Sequence, residues 1–301
     1  MHSARVSKSH PSNQPAFTLV ELLAVIAVLA LLATLPLLAM TSKDKLMVQQ
    51  LRCTDNLKQL SMVWSMYISD TGSLPPRTTS LDPNYPNGEW MGALMNYKTF
   101  KKNTNLLLCP TASTPDPAPI ASNSGGTNGA ADHAYSRVTN PVNGAVTTFF
   151  CSYGNNGWFY VNASNPRQGA GDGTSLQGSS QFFFLKQSAV QFPAKTPVFF
   201  DCNWVDTWPL ESDSPCADLY HGRRFLTHSD EMGRLTLPRH GGEDPARIRG
   251  FYPGSWNASP PPGAVNLALA DGHVEEARLG KLWAYYWHLG WNPRPQISPP
   301  N

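Results

Sequence analysis

The sequence predicts an α+β fold in which a long N-terminal helix carries a loop-rich antiparallel β-sheet head. Residues 17–40 are almost wholly apolar, and residues 43–70 continue with apolar positions at helical spacing. Beyond them, short β-type runs alternate with Pro, Gly and Asn clusters. The chain has 301 residues and is 41% hydrophobic, enough to bury a core, while 27 Pro and 23 Gly assign much of it to turns and loops.

The N-terminal segment comes first. Residues 22–40 are interrupted only by Thr34 and Pro36 and make a helix about 28 Å long, close to the hydrocarbon thickness of a bilayer. Arg5 and Lys8 are the formal charges of residues 1–16. The positive-inside rule therefore puts residues 1–16 in the cytoplasm and everything after about residue 42 outside. Without Arg5 and Lys8 the 23 basic residues become 21, equal to the 21 acidic ones, so nothing electrostatic points to nucleic acid.

Glu21 sits at the start of this apolar run. An ionised side chain costs about 2.5–3.5 kcal/mol at mid-bilayer and less near a helix end, a cost that calls for a partner. A cleaved secretory signal or a plain anchor does not explain it, and "LLAMTS" gives no convincing signal-peptidase site. The segment "AFTLVELLAVIAVLALLATLPLLA" resembles the prepilin-type cleavage and methylation segment of type IV pilins and type II secretion pseudopilins. The resemblance implies that a prepilin peptidase cuts between Ala16 and Phe17 and methylates the new amine, with Ala16 standing where the family usually has Gly. Glu21 becomes the fifth mature residue, and its carboxylate pairs with the Phe17 ammonium of an adjacent subunit during assembly.

From Leu46 through Cys53, Leu57, Leu60, Trp64 and Tyr67 the apolar spacing is 7, 4, 3, 4 and 3, with Lys45, Gln49, Arg52, Asp55, Lys58 and Ser61 on the polar side. Gly72 and Pro75–Pro76 end the helix. Joined to the anchor, the prediction is one helix of about 53 residues and 80 Å. The stretch "CTDNLKQLSMVWSMYISDTGSLPP" resembles the helix-to-head junction of a subgroup of prepilin-like proteins, and a pilin-like fold would lay this helix on a small antiparallel sheet.

In the head, 82–88, 110–130, 139–144 and 162–180 read as loops, and 146–152, 181–186, 197–201 and 264–270 as strands. "AVNLALADGHVEEARL" reads as a hairpin, with Asp271–Gly272 as a two-residue turn. It resembles the prepilin-associated His-x9-Asp-Gly signature, with His240, Gly241 and Gly242 upstream and Asp271, Gly272 and His273 downstream, stretched so that thirty residues separate His240 from Asp271. The resulting organisation is a leader (1–16), a transmembrane and assembly segment (17–42), the outer half of the helix (43–71) and a β-rich head (72–301).

Other chemistry is weighed against plainer readings. His240, Asp271 and His273 could converge on zinc or iron, but the turn explains Asp271 by itself. The acidic run at 201–218 offers Asp201, Asp206, Glu211, Asp213 and Asp218 as oxygen ligands for calcium, without the glycine or terminal Glu of an EF-hand loop, so a solvated loop is favoured. "GTSLQGSS" puts Ser179 where a phosphate loop needs lysine, and neither a G-x-S-x-G elbow nor an H-E-x-x-H helix occurs, so no enzyme is expected. Cys53, Cys109, Cys151, Cys202 and Cys216 form no C-x-x-C pair, and export would allow one or two disulfides. Among nine tryptophans, Trp204, Trp208 and Trp256 lie in loop-like sequence, and Trp283 and Trp287 share a helical face. Exposed, they could stack on sugars; core or subunit contact is the default.

The expected role is structural: a subunit of a pilus-like or type II secretion pseudopilus filament, in contact with prepilin peptidase, related subunits and membrane lipid. The alternative is a membrane-anchored extracytoplasmic binding module, for example for carbohydrate.

Overall fold

The computed structural model describes residues 18–38, 41–76, 89–95, 97, 103–116, 121–122, 126–138, 148–161, 179–213, 216, 218–222, 231–242, 245 and 261–294. The chain divides into two compact units, Met1–Lys45 and Leu46–Asn301.

The first unit contains α1 (Leu19–Leu38), rich in Leu, Ala and Val. Its side chains are described as far as Leu32. Among the described residues no helix is long and apolar enough to cross a membrane. α2 (Ser42–Thr71) begins at the end of this unit and runs through the second.

The single 53-residue helix expected from sequence is therefore two helices. The break is chemical: the Thr41 amide donates to Asp44 Oδ2 at 2.8 Å, and the Asp44 amide donates back to Thr41 Oγ1 at 3.3 Å. This reciprocal cap satisfies orphan amides and starts a new helix at Ser42. At the other end Gly72 takes a left-handed φ of +69° and donates its amide to the Ile68 carbonyl at 2.8 Å. Only a residue without Cβ adopts that conformation at no steric penalty, so α2 stops there.

The stripe read from sequence is buried from Cys53 onward, through Leu57, Leu60, Trp64 and Tyr67. Trp64 meets Phe159 and Phe199 edge-on, at 6.1 and 5.3 Å between ring centroids. Burying such rings is the largest apolar contribution a helix of this kind makes to a core.

The head carries two sheets. In the first, β4 (His133–Val138) pairs antiparallel with β3 (Gly126–Thr127) and β5 (Thr148–Cys151) and parallel with β1 (Thr114–Pro115), while β2 (Ala121–Ser122) adds to β3. The second has the order β10-β9-β7-β6-β8, from β6 (Tyr153–Asn156), β7 (Pro197–Asp201), β8 (Asp206–Thr207), β9 (Ala264–Leu269) and β10 (Val274–Arg278). The α+β class holds, but the sheets are mixed rather than antiparallel, because β1 joins β4 and β8 joins β6 in parallel. Two-residue strands of this kind leave no periodic signal in sequence.

The run at 181–186 is not a strand. Ser179–Phe182 forms a 3₁₀ turn, and Leu185 has a φ of +56°. Its three consecutive phenylalanines all turn inward: Phe182 and Phe183 pack on Trp158 at 5.5 and 5.2 Å, and Phe184 stacks on Phe159 at 4.4 Å. A strand would send the middle ring to the opposite face. Likewise Trp283 lies in a 3₁₀ stretch, Leu279–Ala284, and Trp287 beyond it, rather than on one α-helix.

All tryptophans among the described residues are buried; Trp256 lies outside them. Buried indoles need acceptors. Trp90 Nε1 donates to the Val205 carbonyl at 2.7 Å, Trp158 Nε1 to Pro209 at 2.9 Å, Trp283 Nε1 to Asp213 at 3.1 Å and Trp287 Nε1 to Leu282 at 2.8 Å. These rings form core, and none of the described ones offers a stacking platform for sugars. None of the five cysteines forms a disulfide, and Cys53, Cys109, Cys151 and Cys202 are buried.

Candidate functional site

At the N-terminus, Thr18 and Glu21 form the same reciprocal cap as Thr41 and Asp44. The Thr18 amide and Oγ1 donate to Glu21 Oε2 at 2.8 and 2.7 Å, and the Glu21 amide donates to Thr18 Oγ1 at 3.3 Å. The carboxylate thus sits at the positive end of the helix dipole and closes its first turn. The Thr-x-x-Glu spacing encodes this cap, which gives Glu21 a local role beside the intersubunit pairing expected from the resemblance. From Leu19 to Leu32 the large apolar side chains are exposed, with Leu19 at 74% and Leu31 at 66%. The described side chains of α1 therefore form an uncovered apolar rod, with the Glu21 carboxylate held in its first turn. Ala16 and Phe17 lie outside the described residues.

The downstream signature residues do not converge. His240 bridges to Ala264 at the start of β9, with reciprocal backbone bonds of 2.8 and 2.7 Å. Asp271 and His273 lie beyond the far end of that six-residue strand. Gly241 and Gly242, at φ of +94° and +85°, turn the chain away after His240. The hairpin loop holds three residues, Ala270 to Gly272, because Leu269 faces His273 across it: the Leu269 amide donates to the His273 carbonyl at 2.9 Å. Gly272 supplies the positive φ of +88° that such a loop needs. Asp271 Oδ1 accepts the His273 amide at 3.1 Å and lies 2.7 Å from His273 Nδ1. The His240–Asp271–His273 metal centre is therefore excluded by the length of β9.

His240 instead points into the core, where four side chains far apart in sequence meet. Cys53 comes from α2, Cys109 from the segment before β1, Asp201 from the end of β7 and His240 from the bridge to β9. One donor atom from each lies within 4.8 Å of all the others. Cys53 Sγ is 3.5 Å from Asp201 Oδ1, Cys109 Sγ is 3.6 Å from His240 Nε2, and His240 Nε2 is 3.3 Å from Asp201 Oδ2. All four residues are buried, His240 the most exposed at 4%.

Second-layer contacts hold these groups. The Asn266 amide donates to Asp201 Oδ2 at 2.8 Å, Arg239 Nη1 reaches Asp201 Oδ1 at 3.4 Å, and Tyr153 Oη donates to Cys53 Sγ at 3.4 Å. The electrostatics follow. Burial alone would push the Cys109 thiol up, but the Cys53 hydrogen bond and the His240 charge bring it down to about 5. Burial alone would lower His240; the charges of Asp201 and Cys109 raise it to about 10. The Cys53 thiol is pushed well up, chiefly by burial. Burial opposes the charge on Asp201 too, yet His240 and Arg239 hold its carboxyl below the usual range.

This is not the layout of a nucleophilic triad. Cys109 and Asp201 both address Nε2 of the imidazole, whereas proton relay needs one partner on each ring nitrogen. No C-x-x-C or closely spaced His betrays the cluster, so only tertiary structure brings it together.

The acidic residues proposed for calcium go to separate partners. Asp201 belongs to the cluster above, and Asp206 Oδ1 lies 3.7 Å from Arg234 Nη1. Asp213 Oδ2 caps backbone amides of Leu210 and Met232 at 3.1 and 3.2 Å, and Asp218 Oδ2 meets His221 Nδ1 at 2.8 Å. Glu211 reaches His288 Nε2 at 3.1 Å and accepts the Asn292 amide at 3.0 Å. Burial would raise the Glu211 carboxyl, but these bonds, led by the one to His288, hold it below its ordinary 4.5. A depressed carboxyl stabilises the fold above its unfolded value, and the contribution disappears as pH falls through the folded value. Glu211→Gln should therefore be less stable than wild type at neutral pH, and the gap should narrow in urea melts taken progressively below about pH 4.5.

No curated protein and no solved structure matches the chain. Residues 11–35 match the prokaryotic N-terminal methylation motif. That match spans Ala16 and Phe17 with the five residues before them, the Thr18–Glu21 cap and most of α1, and it identifies the chain as carrying a prepilin-type cleavage and methylation segment.

Proposed function

We propose that this protein is a structural subunit of a pilus-like or type II secretion pseudopilus filament. Prepilin peptidase cuts it between Ala16 and Phe17 and methylates the new amine. Residues 17–42 anchor it in the cytoplasmic membrane, with the head outside. During assembly the exposed apolar surface of α1 packs against neighbouring subunits, and Glu21 meets the Phe17 ammonium of one of them where screening is weak. The reading is structural, not catalytic.

The observation that carries it is the methylation motif on residues 11–35, placed on a helix whose apolar faces are uncovered. The rival reading, an anchored carbohydrate-binding module, loses its main support because the described tryptophans are core. Mass spectrometry of the chain recovered from membranes is expected to find N-methyl-Phe17 at its start. A chain that keeps residues 1–16 would have no Phe17 ammonium, and the assembly reading would fall with it.

A further inference from the structure

We propose that Cys53, Cys109, Asp201 and His240 form a closed structural zinc site that clamps α2 to the β head. In a tetrahedral zinc centre, with sulfur at about 2.3 Å and nitrogen or oxygen at about 2.0–2.1 Å, neighbouring sulfur and nitrogen or oxygen donors stand about 3.6 Å apart and nitrogen and oxygen about 3.3 Å. The contacts observed are 3.5 Å from Cys53 Sγ to Asp201 Oδ1, 3.6 Å from Cys109 Sγ to His240 Nε2 and 3.3 Å from His240 Nε2 to Asp201 Oδ2; the two Asp201 contacts use different carboxylate oxygens, and one donor atom from each residue lies within 4.8 Å of the others. Two thiolates, one imidazole and one carboxylate are zinc's own donor set, and four protein ligands leave no open position for substrate.

The proton and charge balance agree with this. Zinc needs both sulfurs as thiolates and Nε2 of His240 unprotonated. Loading therefore displaces any thiol or imidazolium proton that these donor atoms carry in the metal-free protein. The divalent ion and the Arg239 guanidinium then cancel two thiolates and one carboxylate, leaving a buried site without net charge. Asn266, Arg239 and Tyr153 are the outer partners that orient such ligands.

The rival use of the two sulfurs is a disulfide, which would explain neither His240 nor Asp201. The metal clips together four segments separated by 56, 92 and 39 residues along the chain, where loop closure without a cross-link is entropically unfavourable.

The test uses the full chain purified in detergent without chelator. Elemental analysis is expected to give one zinc per chain. Alkylation after denaturation, without reductant, should label both Cys53 and Cys109. Exchange for Co²⁺ should produce a thiolate-to-cobalt charge-transfer band, and chelation should lower the thermal midpoint. Cys53→Ser and His240→Ala should each lose zinc at least tenfold. Where a variant fails to fold, the wild-type measurements still decide. A Cys53–Cys109 disulfide, absence of zinc, a different ion at one equivalent, or zinc retained in both variants would overturn the site.

Discussion

Glu21→Gln is expected to leave α1 formed and inserted while reducing filament assembly on the order of tenfold or more, the effect of losing about 1.4 kcal/mol per contact. Glutamine still accepts the Thr18 amide in a reciprocal cap but carries no charge for a neighbour's ammonium. Thr18→Ala makes the opposite change: it removes the cap hydroxyl, at about 0.5–2 kcal/mol of local helix stability, and keeps the charge. Filament yield measured for both variants separates the two duties of one carboxylate. Normal assembly of Glu21→Gln, or an equal defect in Thr18→Ala, would refute intersubunit pairing as the reason for the charge.

Arg239→Met should be the most damaging single change in the head. The guanidinium is fully buried and donates from Nε to the Ala131 carbonyl at 3.0 Å and from Nη2 to the Ala130 and Cys202 carbonyls at 2.8 and 3.3 Å. Its Nη1 serves the Ser152 carbonyl and Asp201. Ala130 and Ala131 lead into β4 of one sheet, and Asp201 ends β7 of the other, so one side chain ties the two together. Removing it takes this donor from the Ala131 and Cys202 carbonyls and the guanidinium charge from buried Asp201, which keeps only the Asn266 amide and its neighbours in the cluster, a loss of about 3–5 kcal/mol against a typical total of about 5–15. Arg239→Lys should recover little, since an ammonium has three donors and no planar fork. Urea melts read the effect, and a Met variant within about 1 kcal/mol of wild type would show that the network is not structural.

Much of the scaffold was legible beforehand. The stripe from Cys53 to Tyr67 is buried at 3.6-residue periodicity, and Gly72 ends α2 as its freedom from a Cβ demands. Strands β7 and β9 lie in the apolar runs that predicted them. Helical periodicity misleads where a stronger local signal competes with it. Thr41-x-x-Asp44 splits the long helix, and a third residue enters the β9–β10 loop because Leu269 pairs across to His273. At 181–186 the failure was of another kind: three adjacent aromatic rings find room on one side only by leaving extended geometry.

The sequence by itself determined the N-terminus. A basic leader, Thr-x-x-Glu and an apolar run act within a few turns of one helix, so their spacing carries their chemistry. The buried cluster was decided only by tertiary structure. Cys53, Cys109, Asp201 and His240 become neighbours when α2, β7 and β9 pack, and no local periodicity encodes a meeting of residues separated by up to 187 positions. The same packing removes water from an imidazole, a thiol and a carboxylate together, so that the ionisation of each depends on the others.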